Sequence, residues 1–328
     1  MRATPSSDPC PIPWRGIIPS LNTAFGDDGK LDPAAIVRAV EWTIGAGVAG
    51  LLCPAVAGEQ ASLDSLEFRI VVETVAAAAA RRVPLIVSVT APDRETRLER
   101  AAIARKAGAA AVLCQAPSGL AGDALADALS EVADAGAPVL MLQDLDFTGG
   151  GMKVADIVAL CERLPVLKCL KLETAPAGPK YSALLAATDG RLHVSGGWAV
   201  GQMIDALDRG VHAFMPTEME DVYVRIHALH REGRRDEARG WFERLLPILA
   251  FSNQHIDVSI RFFKRLRRNR GMFGSDFCRP PVPPLDAQQL TEAERLIGKA
   301  LGLSHEIAVL SAADARGAQG PTHLRGWR

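Results

Sequence analysis

Along the first 232 residues of this 328-residue chain, short apolar or β-branched runs alternate with segments of helical period, eight times over. The runs fall at 16–23, 49–54, 84–90, 110–115, 138–144, 166–173, 192–196 and 213–216. Segments at 33–46, 63–80, 94–107, 123–134, 154–162, 180–187, 200–208 and 221–232 lie between and after them. Short β-branched runs read as strands and 3.6-residue periodicity reads as helix. Eight strand–helix units predict an α/β fold, a (β/α)8 TIM barrel, in preference to an open doubly wound sheet. The dinucleotide-binding version of that open sheet also lacks its strand–GxGxxG–helix signature here.

After residue 232 the period becomes helical only, at 235–251, 256–269 and 286–301, with a proline-rich stretch at 279–284 before the last helix. The chain therefore divides into a leader at 1–13, the barrel at 14–232, a C-terminal helical extension at 233–303 and a tail at 304–328. The extension is expected to pack on the barrel or on a neighbouring subunit. The tail is rich in Ala, Gly and Arg, and reads as loosely held.

Hydrophobic residues make up 48% of the chain and charged residues 23%, with a net charge of −1. That balance argues against disorder and offers no electrostatic footprint for nucleic acid or an anionic membrane. The longest apolar runs fall short of the ~20 residues a membrane span needs, and the N-terminus has no apolar core of a secretory signal. Six scattered cysteines form no CxxC pair, and Cys53, Cys114 and Cys169 sit inside strand-like runs. Buried, reduced thiols and a cytoplasmic location are the expectation.

In a barrel, chemistry sits at the carboxyl ends of the strands. Of the eight windows this defines, the sixth carries the most information. In Val166–Glu173, Lys171 and Glu173 share a face with Leu167 and Cys169, while Leu170 and Leu172 take the other. Lys171 and Glu173 are thus expected to point into the barrel mouth. Loss of hydration there favours the neutral amine, which can condense with the carbonyl of a 2-oxo acid. Glu173 could shuttle a proton. A structural ion pair within the strand is the competing account.

These residues resemble the dihydrodipicolinate synthase/N-acetylneuraminate lyase family, class I lyases on a (β/α)8 barrel. The resemblance rests on Asn22-Thr23-Ala24-Phe25 with Asp28–Asp32, on Ala57–Leu63, on Leu170-Lys171, and on Gly196-Gly197 with Gly210–Ala213. It spans Trp14 to Leu301. It implies that Lys171 forms the Schiff base, with no cofactor and no metal, and that the protein is a homo-oligomer, a tetramer or a dimer. The family's paired threonines fall on Val56 and Ala57, leaving backbone N–H groups of Ala57, Gly58 and Glu59 to hold a substrate carboxylate. Its strand-four tyrosine is missing near Gln115-Ala116-Pro117, and the chain's two tyrosines, Tyr181 and Tyr223, lie outside the strand-end windows. Within the family the likeness is greatest to the 2-keto-3-deoxy sugar-acid dehydratases, at Gly58-Glu59-Gln60, Gln143-Asp144, Lys171–Thr174, Asn253-Gln254 and Lys264.

Gln143 is expected to bind substrate. Asp144 is read either as a group that binds a substrate hydroxyl or acts as an acid/base, or as a cap on the loop Leu145–Gly151. Ser195 and Gly196 could admit the substrate closely, or merely shape a turn. Glu59 is read as a hydrogen-bond partner at the mouth. His193, His212, His227 and His230 complete no ligand set. The basic residues Arg261, Lys264, Arg265, Arg267, Arg268 and Arg270 read as the solvated face of an amphipathic helix, with nucleic-acid binding as a weaker alternative. Three functions follow: a dehydratase of a 2-keto-3-deoxy sugar acid, a pyruvate-dependent aldolase, or an idle paralogue that binds a small acid.

Overall fold

A computed structural model describes residues 9–146, 148–197 and 201–318. Eight parallel strands follow one another round a single sheet in the order β1-β8-β7-β6-β5-β4-β3-β2. In chain order the elements are β1 (Gly16–Ile17), α1 (Pro33–Gly45), β2 (Leu51–Leu52), α2 (Ser65–Ala79), β3 (Leu85–Ser88) and α3 (Arg94–Lys106). Then come β4 (Ala111–Gln115), α4 (Gly122–Ala135), β5 (Leu140–Asp146), α5 (Val154–Arg163), β6 (Leu167–Thr174) and α6 (Ala177–Ala187). The barrel ends with β7 (His193–Gly196), α7 (Met203–Asp208), β8 (Ala213–Phe214) and α8 (Glu220–Arg231). Helices α9 (Arg235–Ser252), α10 (Ile256–Asn269) and α11 (Ala287–Ala318) form the extension.

The ring closes between the segment after β1 and β2, where Leu52 N–H donates to Pro19 O at 2.9 Å and Leu21 N–H to Leu52 O at 3.0 Å. Pro19, Pro54 and Pro216 each lack an N–H for the ladder, so the first, second and last strands are shorter in regular form than their apolar runs. Side chains from alternate positions fill the interior, among them Ile18, Leu52, Ile86, Leu113, Met141, Cys169 and Met215. Leu142, Leu170, Leu172 and Val194 pack outward with the helices. Acidic caps start several of those helices: Asp32 accepts from Ala35 N–H, Asp93 from Thr96 N–H, and Asp64 with Glu67 forms a reciprocal capping box.

Three expectations are corrected here. Leu167 belongs to the outward, helix-side cluster, not to the face of Lys171, because the β5–β6 register shifts between Leu140 and Met141 and breaks the alternation. Helix α11 runs unbroken through residue 304 to Ala318, since no proline interrupts it before then. Finally, the basic side chains of α10 are not all solvated: Lys264 and Arg267 are wholly buried. Among the described residues no helix is long and apolar enough to cross a membrane.

Candidate active site

The period of two along β6 sends Cys169, Lys171 and Glu173 inward, and register with β5 sets Gln143 beside Lys171. Lys171 Nζ lies 3.3 Å from Glu173 Oε2, and both side chains are nearly enclosed. Gln143 Nε2 donates to the same carboxylate oxygen at 2.5 Å. The three side chains form the floor of a cleft enclosing about 620 Å³, its open mouth included. An amine, a carboxylate and an amide held on adjacent strands can form an imine, move a proton and keep the proton carrier oriented.

Glycine is required beside this floor at position 197. A Cβ there would stand 2.6 Å from Lys171 Cε and 2.5 Å from Glu173 Cδ. Gly196, the expected binding residue, turns the other way: a Cβ on it would meet the Tyr181 hydroxyl at 2.6 Å. Ser195 is paired in register with Lys171 but is buried below the cleft, with Oγ donating to Leu170 O at 3.1 Å.

The loop after β2 makes a 3-10 turn over Val56–Gly58. Asn22 Nδ2 donates to Ala57 O at 2.7 Å and Thr23 Oγ1 to Gly58 O at 2.6 Å, so the first loop holds the second. Gly58 is needed because a Cβ would reach Leu21 O at 2.7 Å. Gly58 and Glu59 spend their N–H groups inside the turn, on Ala55 O and Val56 O. Of the three residues expected to bind a carboxylate, Ala57 is the one that lines the cleft.

Glu59 does not line the cleft. Its carboxylate accepts from Arg279 N–H at 2.8 Å and pairs with Lys264 of α10. Lys264 also donates to Phe277 O at 2.8 Å and lies 4.3 Å from the centre of the Phe25 ring. Burial pulls the Lys264 ammonium below its ordinary range, with Glu59 opposing. Asp144 likewise lies outside the cleft. It pairs in register with the outward Leu172, bonds Lys180 Nζ at 2.5 Å and accepts from Met152 N–H at 3.0 Å, which is the loop-capping arrangement.

The roof comes from elements that a search confined to strand ends misses. Leu249, Asn253, Ile256, Ser259 and Phe263 of the helical extension line the cleft, as does Tyr223 of α8, together with Glu218 from the strand-end window after β8. Arg267 meets Glu218 at 2.6 Å and Glu220 at 2.9 Å, and Arg270 also pairs with Glu218. Burial, with Glu218 beside it, pushes the Glu220 carboxyl above the usual range. Burial also raises the Tyr223 phenol, with Glu220 adding to it, and raises Tyr181, with Glu173 adding to it. The spacing of Lys264, Arg267 and Arg270 by three was the available sequence signal for one helical face. Among the described residues, no group of three His, Cys, Asp or Glu side chains is gathered to hold a metal ion.

The family model for the dihydrodipicolinate synthetase family matches residues 13–300. L-2-keto-3-deoxyarabonate dehydratase of Azospirillum brasilense is 28% identical over 304 residues, covering 89% of this chain and 97% of that protein. 4-Hydroxy-tetrahydrodipicolinate synthase of Xanthomonas axonopodis pv. citri is 28% identical over 298 residues, covering 88% and 95%. The crystal structure of dihydrodipicolinate synthase from Rhodopseudomonas palustris superposes with a TM-score of 0.80 at 24% identity, over 87% of this chain and 97% of that one. This last likeness is one of fold.

Proposed function

Because the chain belongs to the dihydrodipicolinate synthetase family, we propose that it is a Schiff-base lyase that removes water from a 2-keto-3-deoxy sugar acid. The observation that carries this reading is the enclosed Lys171 amine 3.3 Å from a carboxylate that Gln143 orients. Lys171 adds to the C2 ketone, and loss of that oxygen as water gives the imine. Glu173 then takes a proton from C3, and the C3–H electron pair forms the enamine. The enamine expels the C4 hydroxyl, which leaves as water with the proton returned by Glu173. Hydrolysis of the imine frees the dehydrated 2-oxo acid and the amine. Ala57 N–H is the donor proposed for the substrate carboxylate. The likeness to the Azospirillum dehydratase over most of both chains supports dehydration.

An aldolase reading draws on the equal identity to the Xanthomonas synthase. Val56 and Ala57 stand where the family's two threonines are expected, which weighs against synthase chemistry, while the tyrosine missing near Gln115-Ala116-Pro117 is one that the dehydratase branch also tends to keep. Both readings predict that borohydride traps pyruvate on Lys171, seen as a mass increment on that residue and lost in Lys171→Ala. Absence of any adduct overturns both. With hydroxylated 2-oxo acids, a product one water lighter supports the dehydratase, whereas release of pyruvate supports the aldolase. Turnover that vanishes in folded Lys171→Ala removes the idle-paralogue reading.

A further inference from the structure

Two hydroxyls in the cleft have no partner that the reaction or the fold supplies. Ser20 Oγ and the Tyr223 hydroxyl are both buried, both residues line the cleft, and neither oxygen has a hydrogen-bond partner among the described residues. Buried polar groups are almost always bonded, and an orphan hydroxyl costs stability unless something meets it. Burial keeps the phenol protonated, so it can donate as well as accept.

Strand order puts Ser20 across the mouth from Gln143 of the floor, and Tyr223 follows β8, the strand next to β1. Ser20 follows β1, and its N–H donates to Pro216 O at 2.7 Å beyond β8. In a ring of eight, β1 stands opposite β5, which carries Gln143. A molecule joined to Lys171 at its C2 atom would extend from that floor towards this wall. Asn253, which caps the C-terminus of α9, adds an amide to the lining of the cleft.

We propose that Ser20 and Tyr223, with Asn253, form a subsite for the hydroxyl-bearing end of the substrate. The wall is matched to neutral hydroxyls and not to a second carboxylate. Among the described residues the charged side chain that lines this wall is the Glu218 carboxylate, with Arg267 and Arg270 bound to it from behind, so a second carboxylate would meet an anion there. The substrate class is therefore a monocarboxylic 2-oxo acid with a hydroxylated chain, as opposed to a keto-diacid. This deepens, and rests on, the Schiff-base reading.

The test compares borohydride trapping of pyruvate with trapping of a 2-keto-3-deoxypentonate, in the wild type, Tyr223→Phe and Ser20→Ala. Each lost hydrogen bond should raise the half-saturating concentration of the pentonate about fivefold and leave that of pyruvate unchanged. Equal shifts for both acids, or no shift for the pentonate, overturn the subsite while leaving the imine standing. Should Tyr223→Phe fail to fold, Ser20→Ala decides on the same criteria. If wild-type protein traps neither acid, the Schiff-base reading itself fails, and the subsite with it. A keto-diacid of equal length that traps as tightly as the pentonate also overturns the proposal.

Discussion

Removing one member of the Glu59–Lys264 pair should harm the protein far more than removing both. Lys264 is fully buried and Glu59 nearly so. In Lys264→Met the side chain keeps a comparable unbranched volume, but the Glu59 carboxylate is left with the Arg279 N–H as its remaining partner. An uncompensated buried charge of this kind costs about 3–5 kcal/mol, a large part of the ~5–15 kcal/mol that holds a domain together. Glu59 also sits at φ 55°, a left-handed position uncommon for residues with a side chain. Losing its anchor thus frees the loop that carries Ala57. In the double variant Glu59→Gln/Lys264→Met no charge is buried, and the glutamine oxygen still accepts from Arg279 N–H. The residual penalty is the orphaned Phe277 carbonyl and the lost contact with the Phe25 ring, together about 1–2 kcal/mol. Urea unfolding followed by circular dichroism measures all four corners of the cycle, and pyruvate trapping should be weakened in the single variant and restored in the double. A double variant no more stable than Lys264→Met, or a single variant costing less than about 1 kcal/mol, would refute the reasoning.

The eightfold alternation and the inward parity of Lys171 and Glu173 were legible because strand and helix periods are local properties of the chain. The role of Asp144 was not, because Leu140, Met141 and Leu142 make β5 apolar at both parities and its own pattern does not say whether Gln143 or Asp144 faces in. Register pairs Gln143 with Lys171, and that sends Asp144 out to Lys180. The same difficulty separates Gly196 from Gly197, where one step along the chain decides between Tyr181 and the reacting amine. The cations of α10 were misread for a different reason. Charge on a helix normally seeks water, and the acids that meet Lys264 and Arg267 lie in the loops after β2 and β8 and at the start of α8, far off in sequence. Tyr223 escaped because strand ends describe the floor of a barrel site. The extension that closes this one brings in a roof, so a residue in the first turn of α8 reaches the cleft.

Substituting Gly197→Ala would put a methyl carbon 2.5 Å from Glu173 Cδ and 2.6 Å from Lys171 Cε, so both side chains must shift, and a misplacement of about 1 Å costs about 100-fold in well-oriented chemistry. Pyruvate trapping should therefore fall at least tenfold while the unfolding midpoint changes little; full trapping would disprove the close packing. The acid limb of stability should depend on two histidines. His193 is buried at the start of β7, paired in register with Cys169, with Nε2 2.6 Å from Trp14 O, and burial lowers it to about 3, with His212 and Arg15 adding to the effect. Burial lowers His227 to about 4. Free histidine titrates near ~6.5, so below that pH the unfolded chain binds protons that the folded protein refuses. Their stabilising contribution is complete above ~6.5 and is lost as the pH falls towards these lower values, with a slope of up to about 1.4 kcal/mol per pH unit for each ring. Replacing both with glutamine should flatten the dependence of unfolding free energy on pH between about 4.5 and 6. Equal slopes in the wild type and the double variant would mean that neither ring is held neutral by the fold.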